Sequence, residues 1–409
     1  MPATLPPLAL YVHLPWCVRK CPYCDFNSYA APATIPQSRY VDALLEDLDV
    51  DLAAVQDRPL ISIFFGGGTP SLFSPDEIDR LLSGVRARLG CSADIEVTLE
   101  ANPGAIEHGR FSAYRDAGVN RVSLGAQTFS DQRLEALGRI HGAQDVRSAA
   151  EELHAAGLSN FNIDLMYALP GQTVAQSLED VQAALDLAPA HISHYQLTLE
   201  PGTVFYHRPP SLPDDDEAWR MQLECQARLA SAGYAQYEVS AYARPGRQCR
   251  HNLNYWRFGD YLGVGAGAHG KFTIAGGGAP SIVRTSRIRQ PREYLARAPQ
   301  LRIERSYISA TDLPFEFMVN ALRLDEEFAE RSFEQRTGLG FDTLRAPVAA
   351  AESRGLLQRS GPGAWRVTEF GRRFLNDLQA LFLPDESSPQ VAGERASPGD
   401  GPPATAASL

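Results

Sequence analysis

LALYVHLPWCVRKCPYC, residues 8–24, sets a short apolar run directly before three closely spaced cysteines, Cys17, Cys21 and Cys24. The run LALYVHL (8–14) is rich in strand-forming side chains and predicts a β-strand. A loop leaving such a strand can fold three thiolates around one side of a metal group, and soft thiolates select zinc or an iron–sulfur cluster. A closed zinc site takes four protein ligands, and its fourth here would be His13 or a distant cysteine. Three ligands suit a cluster whose fourth iron stays open.

Outward from this stretch, five further β-rich runs follow: ISIFF (61–65), DIEVTL (94–99), RVSLG (121–125), FNIDLMY (161–167) and HISHYQL (191–197). Between them lie segments such as SRYVDALLEDLDVDLAAV and SPDEIDRLLSGVRARL, whose apolar residues recur at three and four behind Ser or Ser-Pro caps. Strand–helix alternation through residues 1–200 predicts parallel βα units, doubly wound or closed toward a barrel, with active groups at the strand C-termini. Residues 201–310, rich in Pro, Arg and Gly, read as an irregular α+β extension. Within it, HNLNYWRFGDYLGVGAGAHG (251–270) has a glycine pattern suited to tight turns beside strands.

From 311 to 383 the pattern is helix, helix, helix, a hairpin around Gly361-Pro362-Gly363 and a last helix from Thr368, a winged-helix-like order. Nine Arg stand there against eleven Asp or Glu, which argues for packing or partner docking and against a DNA-reading wing. Residues 384–409 have almost no large apolar side chain and predict a disordered tail.

A chain of 409 residues suits one large and one small domain. Its 44% hydrophobic and 21% charged residues are those of a globular protein, and no apolar run approaches the ~20 residues of a membrane span. The N-terminus lacks the charged region of a signal peptide, so a cytoplasmic location is expected, where cysteines stay reduced. Cys91, Cys225 and Cys249 are scattered and read as small buried side chains. A formal charge of −11, from 38 basic and 49 acidic residues, opposes a general grip on nucleic acid.

Seven stretches, YVHLPWCVRKCPYC, FFGGGTPSLF, TLEANPG, RVSLGAQTF, LGRIH, FNIDLMYALPGQT and HNLNYW, follow one another along residues 8–383. In these the chain resembles the radical S-adenosylmethionine superfamily, within the branch of oxygen-independent coproporphyrinogen III oxidases and HemW heme chaperones. The resemblance implies a partial, open (β/α)6 domain followed by the extension and the winged-helix-like domain. It implies a [4Fe–4S] cluster on Cys17, Cys21 and Cys24, with S-adenosylmethionine at the open iron. By the same resemblance Gly67, Gly68 and Thr69 lie against the cofactor's amino group, and Glu100, Gln127, Arg139 and Asp164 contact it. Tyr11 and Tyr23 match positions that touch it too, although an aromatic near a cluster also serves as a packing shield.

Three features separate the branch's members. Its oxidases carry a fourth cysteine two residues after the third, where this chain has Phe26, and an N-terminal extension ahead of Tyr11 that is not found here. Its chaperones carry HNxxYW, reproduced at His251–Trp256, where the imidazole of His251 would ligate heme beside flat aromatics. The reading that follows is a heme-binding and heme-delivering chaperone, with acceptor hemoproteins as partners and a homodimer suggested by the resemblance. Oxidative decarboxylation of coproporphyrinogen III is the alternative, and no catalytic side chain is assigned.

Overall fold

All residues of Leu8–Leu14 except Tyr11 are buried, because this strand, β1, lies inside a sheet covered on both faces. The structure, a computed structural model, describes residues 5–55, 58–104, 109–274 and 280–384; the tail expected at 384–409 falls outside it from residue 385 onward. Beside β1 run, in order and all parallel, β2 (Leu60–Gly67), β3 (Cys91–Ala101), β4 (Arg121–Gln127), β5 (Phe161–Tyr167) and β6 (His191–Gln196). These are the six strands expected from the sequence.

Helices α1 (Gln37–Asp51), α2 (Pro75–Arg86), α3 (Phe111–Ala117), α4 (Asp131–Ala136), α5 (Ala143–Ala155) and α6 (Val174–Asp186) fill the crossovers. On α2, Ile78, Leu81, Leu82 and Val85 form the buried stripe, and the Ser74 hydroxyl caps its start by accepting from the Glu77 N–H at 3.3 Å.

The segment after β6 adds strands to both edges of this sheet. After helix α7 (Asp215–Ser231), β7 (Ala235–Glu238) and β8 (Ala241–Ala243) extend it antiparallel beyond β6. Helix α8 (Arg250–Trp256) precedes β9 (Asp260–Val264), a seventh parallel strand on the far side of β1. Antiparallel β10 (His269–Ile274), β11 (Ser281–Arg287) and β12 (Ile303–Tyr307) complete that edge. The order among the described residues is β12-β11-β10-β9-β1-β2-β3-β4-β5-β6-β8-β7, an open sheet. HNLNYW is thus helical rather than a turn. The Glu96 carboxylate of β3 accepts from the Arg250 and His251 N–H groups, each at 3.2 Å, and caps a helix that has no cap in its own sequence.

The chain divides into two compact units, Met1–Ile308 with Arg323–Glu326, and Ser309–Leu322 with the residues from Glu327 onward. In the second, α9 (Leu313–Ala321), α10 (Glu330–Thr337) and α11 (Arg345–Ser353) precede a hairpin of Leu357–Gly361 and Ala364–Val367. The expected last helix is split into Glu369–Arg373 and Leu375–Ala380 by the non-helical backbone of Phe374. Among the described residues no helix is long and apolar enough to cross a membrane.

A buried ion cluster clamps α1 to β11. Arg287, fully buried, donates to Asp47 at 3.2 Å and to Asp51 at 2.6 Å, and Asp47 also accepts from the Tyr294 hydroxyl and the Gly265 N–H. Removing one member of such a cluster leaves charge without compensation in a low dielectric. Arg287→Leu should therefore lower unfolding stability by about 3–5 kcal/mol, read from the urea midpoint. A loss under about 1 kcal/mol would mean that the clamp contributes little.

Candidate functional site

The cysteine loop leaves β1 and is tied at both ends. Trp16–Cys17 pairs with Tyr29–Ala30 as a two-residue parallel ladder, and the Asn27 side chain donates to the Ala266 and Arg289 carbonyls at 2.9 Å each. His13 Nε2 donates to the Asn27 carbonyl at 2.9 Å; since that oxygen only accepts, His13 Nδ1 is left to accept from the Tyr11 hydroxyl at 3.1 Å. The loop is thereby hung from a strand residue.

Cys17, Cys21 and Cys24 line a pocket at the strand C-termini together with Tyr23, Gly67, Gly68, Thr69, Glu100, Gln127, Arg139 and Asp164. Among the described residues no group of three His, Cys, Asp or Glu side chains is arranged to hold a metal ion. The glycines are required by sterics. Gly67 has φ +116°, and a Cβ there would meet the His13 ring at 2.6 Å; a Cβ at Gly68 would meet the Trp16 carbonyl oxygen at 2.6 Å.

Opposite them, Glu100 accepts from the Gly67 N–H at 3.2 Å. Arg139 donates to Asn102 at 2.5 Å and to the Gly125 carbonyl at 2.8 Å, with Cys21 Sγ at 3.8 Å, while Asn102 donates to Thr69 Oγ1 at 2.8 Å. Asp164 accepts from Ser123 at 3.1 Å and Asn162 at 2.7 Å. Gln127 closes β4 at φ +69°, a strained value for a residue with a Cβ, and accepts from the Tyr195 hydroxyl at 2.8 Å. Burial, reinforced by Asp164, pushes the Glu100 carboxyl up to about 8; burial likewise raises Asp164, although its three hydrogen bonds oppose the rise.

Tyr11 and His251 lie elsewhere. Tyr11 is not in the pocket lining; its ring packs between the His13, Phe64 and His251 rings, which makes it a spacer below the pocket. His251, expected to face a porphyrin, is 1% exposed. Its Nδ1 bonds Ser62 Oγ and its Nε2 bonds the Tyr255 hydroxyl, each at 3.0 Å, so neither ring nitrogen faces a cavity. Asn102, Ser123 and Tyr195 line the pocket without having been expected there; the signal available for Asn102 and Tyr195 was their place at strand C-termini, whereas Ser123, early in β4, carried none. Cys225 and Cys249 are buried and Cys91 is half-buried, and none of them lines the pocket.

An open, mixed sheet with a parallel centre carries the three-cysteine loop after its first strand. Residues 11–187 match the model of the Radical SAM superfamily, and residues 308–374 that of the HemN C-terminal domain. The heme chaperone HemW of Escherichia coli is 51% identical over 379 residues, which span 93% of this chain and 99% of that protein. HemW of Haemophilus influenzae is 48% identical over 386 residues, with the same shares. The chain belongs to the HemW heme chaperone family. Coproporphyrinogen III oxidase (HemN) of Escherichia coli, at 22% identity, superposes with a TM-score of 0.77 over 92% of this chain and 90% of its own, a likeness of fold.

The raised Glu100 carboxyl has a consequence for stability. In the folded, cofactor-free protein Glu100 keeps its proton to about pH 8, whereas in the unfolded chain it loses it in the ordinary carboxylate range. The folded state thus binds more protons across that window, so this group's contribution to stability falls as pH rises through it. Glu100→Gln should melt higher than wild type at about pH 8.5 and converge with it near about pH 4.5. A difference in Tm that does not change with pH would contradict the assignment.

Proposed function

We propose that the pocket holds a [4Fe–4S] cluster on Cys17, Cys21 and Cys24 with S-adenosylmethionine at its open iron, and that the chain binds heme and passes it to acceptor proteins. The observation that carries the cofactor half is one pocket in which three thiols face a glycine turn, two carboxylates, an amide and a guanidinium. A cluster takes three thiolates and leaves one iron open, whereas a closed zinc site would need a fourth protein ligand. Burial raises the Cys17 and Cys24 thiols, so a cationic group is what would favour their deprotonation here.

The remaining residues suit the second ligand. Glu100 and Asp164 would hold an ammonium, whose charge would offset the cost of two partly desolvated carboxylates. Gln127 and Arg139 offer an acceptor and donors for a ribose or carboxylate, and the backbone at Gly67 and Gly68 allows close approach. When bound, the reduced cluster supplies an electron to the sulfonium; the protein's part is to orient that ligand and limit water at the strand ends. The heme half rests on the near full-length likeness to heme chaperones and on Phe26, which lines the pocket where oxidases carry a fourth cysteine. Val18 and Phe26 stand exposed on the same loop, an apolar face that a second copy would cover in a homodimer.

Reconstituted protein should contain about four iron and four sulfide per chain, and alanine at any of the three cysteines should abolish assembly. S-adenosylmethionine should alter the electron paramagnetic resonance signal of the reduced cluster. The protein should bind heme yet leave coproporphyrinogen III unconverted when given reductant and S-adenosylmethionine. Stoichiometric zinc, or protoporphyrinogen IX on chromatography, would overturn the respective half.

A further inference from the structure

His251, Leu253, Asn254, Tyr255 and Trp256 are all buried, so HNLNYW turns almost its whole side-chain content into the protein. Its imidazole has both nitrogens engaged and one face stacked on Phe64 of β2, with ring centroids 5.0 Å apart and planes at 27°. An axial ligand needs a free lone pair and room for a macrocycle, and this ring has neither. We propose instead that His251 is a positioning residue that braces the floor of the cofactor pocket, and that heme iron takes its axial ligand elsewhere. The inference rests on the cluster and S-adenosylmethionine reading of that pocket.

Two buried routes lead from the motif to the pocket. In the first, the His251 ring lies 6.4 Å from the Tyr11 ring of β1, and Tyr11 bonds His13. His13 in turn holds Asn27 of the cysteine loop and fills the space under Gly67, where a Cβ would otherwise fit. Displacing the His251 ring removes the packing behind Tyr11 and so frees His13 to tilt. The loop and the glycine turn would then both lose a fixed surface.

The second route is a chain of hydrogen bonds. The Cys249 thiol and the His251 main-chain N–H both reach Glu96, and the Cys249 N–H donates to the Tyr237 hydroxyl at 3.2 Å. The Asn162 amide oxygen can only accept, so His191 Nδ1 donates to it at 2.7 Å; His191 Nε2 then accepts from the Tyr237 hydroxyl, also at 2.7 Å. Asn162 donates to Asp164 in the pocket at 2.7 Å. Tyr237, His191 and Asn162 are each buried, so no water competes for these bonds. Burial and then the nearby Arg121 guanidinium push His251 down to about 3, which keeps the imidazole neutral and compatible with its apolar stacking partners.

The test uses the reconstituted full chain and two readouts: the heme absorption spectrum with its titration, and the S-adenosylmethionine concentration that half-alters the cluster's paramagnetic signal. His251→Ala should leave heme affinity and spectrum unchanged while raising that concentration about tenfold or more, as loss of a support behind a ligand does. His251→Gln, which keeps a donor near Tyr255, should recover part of the loss. Tyr237→Phe cuts the second route without touching His251 and should also raise the concentration; it carries the test if His251→Ala does not fold. A heme spectrum that loses its axial-ligand signature in His251→Gln overturns the inference. So do wild-type cofactor responses in both His251→Gln and Tyr237→Phe. A wild-type protein that ignores S-adenosylmethionine overturns the pocket reading, and the inference with it.

Discussion

The His13 ring lies against Gly67 so closely that even a methyl group at that glycine would overlap it at 2.6 Å. The same ring holds the Asn27 carbonyl, so one side chain sets the distance between the cysteine loop and the turn that ends β2. The cysteine loop has no regular structure beyond a two-residue ladder, and loops without such ties sample many conformations. The tie is buried and uncharged: desolvation pushes His13 down to about 4, so it is a neutral imidazole at neutral pH with one donor and one acceptor, both used. The geometry of the pocket depends on that double engagement.

Around this tie the pocket gathers groups that oppose burial. Two half-buried carboxylates, Glu100 and Asp164, interact in the pocket wall, and the guanidinium of Arg139 is turned toward Asn102, the Gly125 carbonyl and Cys21. Such an arrangement is costly for the empty protein and becomes favourable with a ligand that brings positive charge. The strained backbone of Gln127 belongs to the same pattern, since a residue held at positive φ is sustained only by well-fixed surroundings.

The segment between β6 and β12 changes what the sheet is able to do. By placing β9 parallel to β1 it covers the edge from which the cysteine loop springs, and by placing α8 under β1 and β2 it fills the space below the pocket. A first strand left at an edge would offer one flank to solvent or to another chain. Here it lies inside the sheet, with seven of the described strands extending on one side through β6 to β8 and β7 and four on the other.

Six parallel strands, the helix opened by Ser74-Pro75 and the three-cysteine loop were legible from the chain alone, because hydrophobic period, a Ser-Pro cap and cysteine spacing are local properties; Ser38, expected to cap α1, lies inside that helix, which starts behind Pro36 without a side-chain cap. The gathering of Glu100, Gln127, Arg139 and Asp164 with Gly67, Gly68 and Thr69 was legible only through resemblance; a carboxylate on a buried strand carries no local sign of what it faces. The fate of HNLNYW was not legible at all. Its helix is capped by Glu96, 154 residues away from Arg250 in sequence, and its imidazole is enclosed by Ser62, Phe64 and Tyr255. Whether a histidine faces a ligand or a core is set by which strands close over it, and that is decided only when the tertiary structure brings β2, β3 and α8 together.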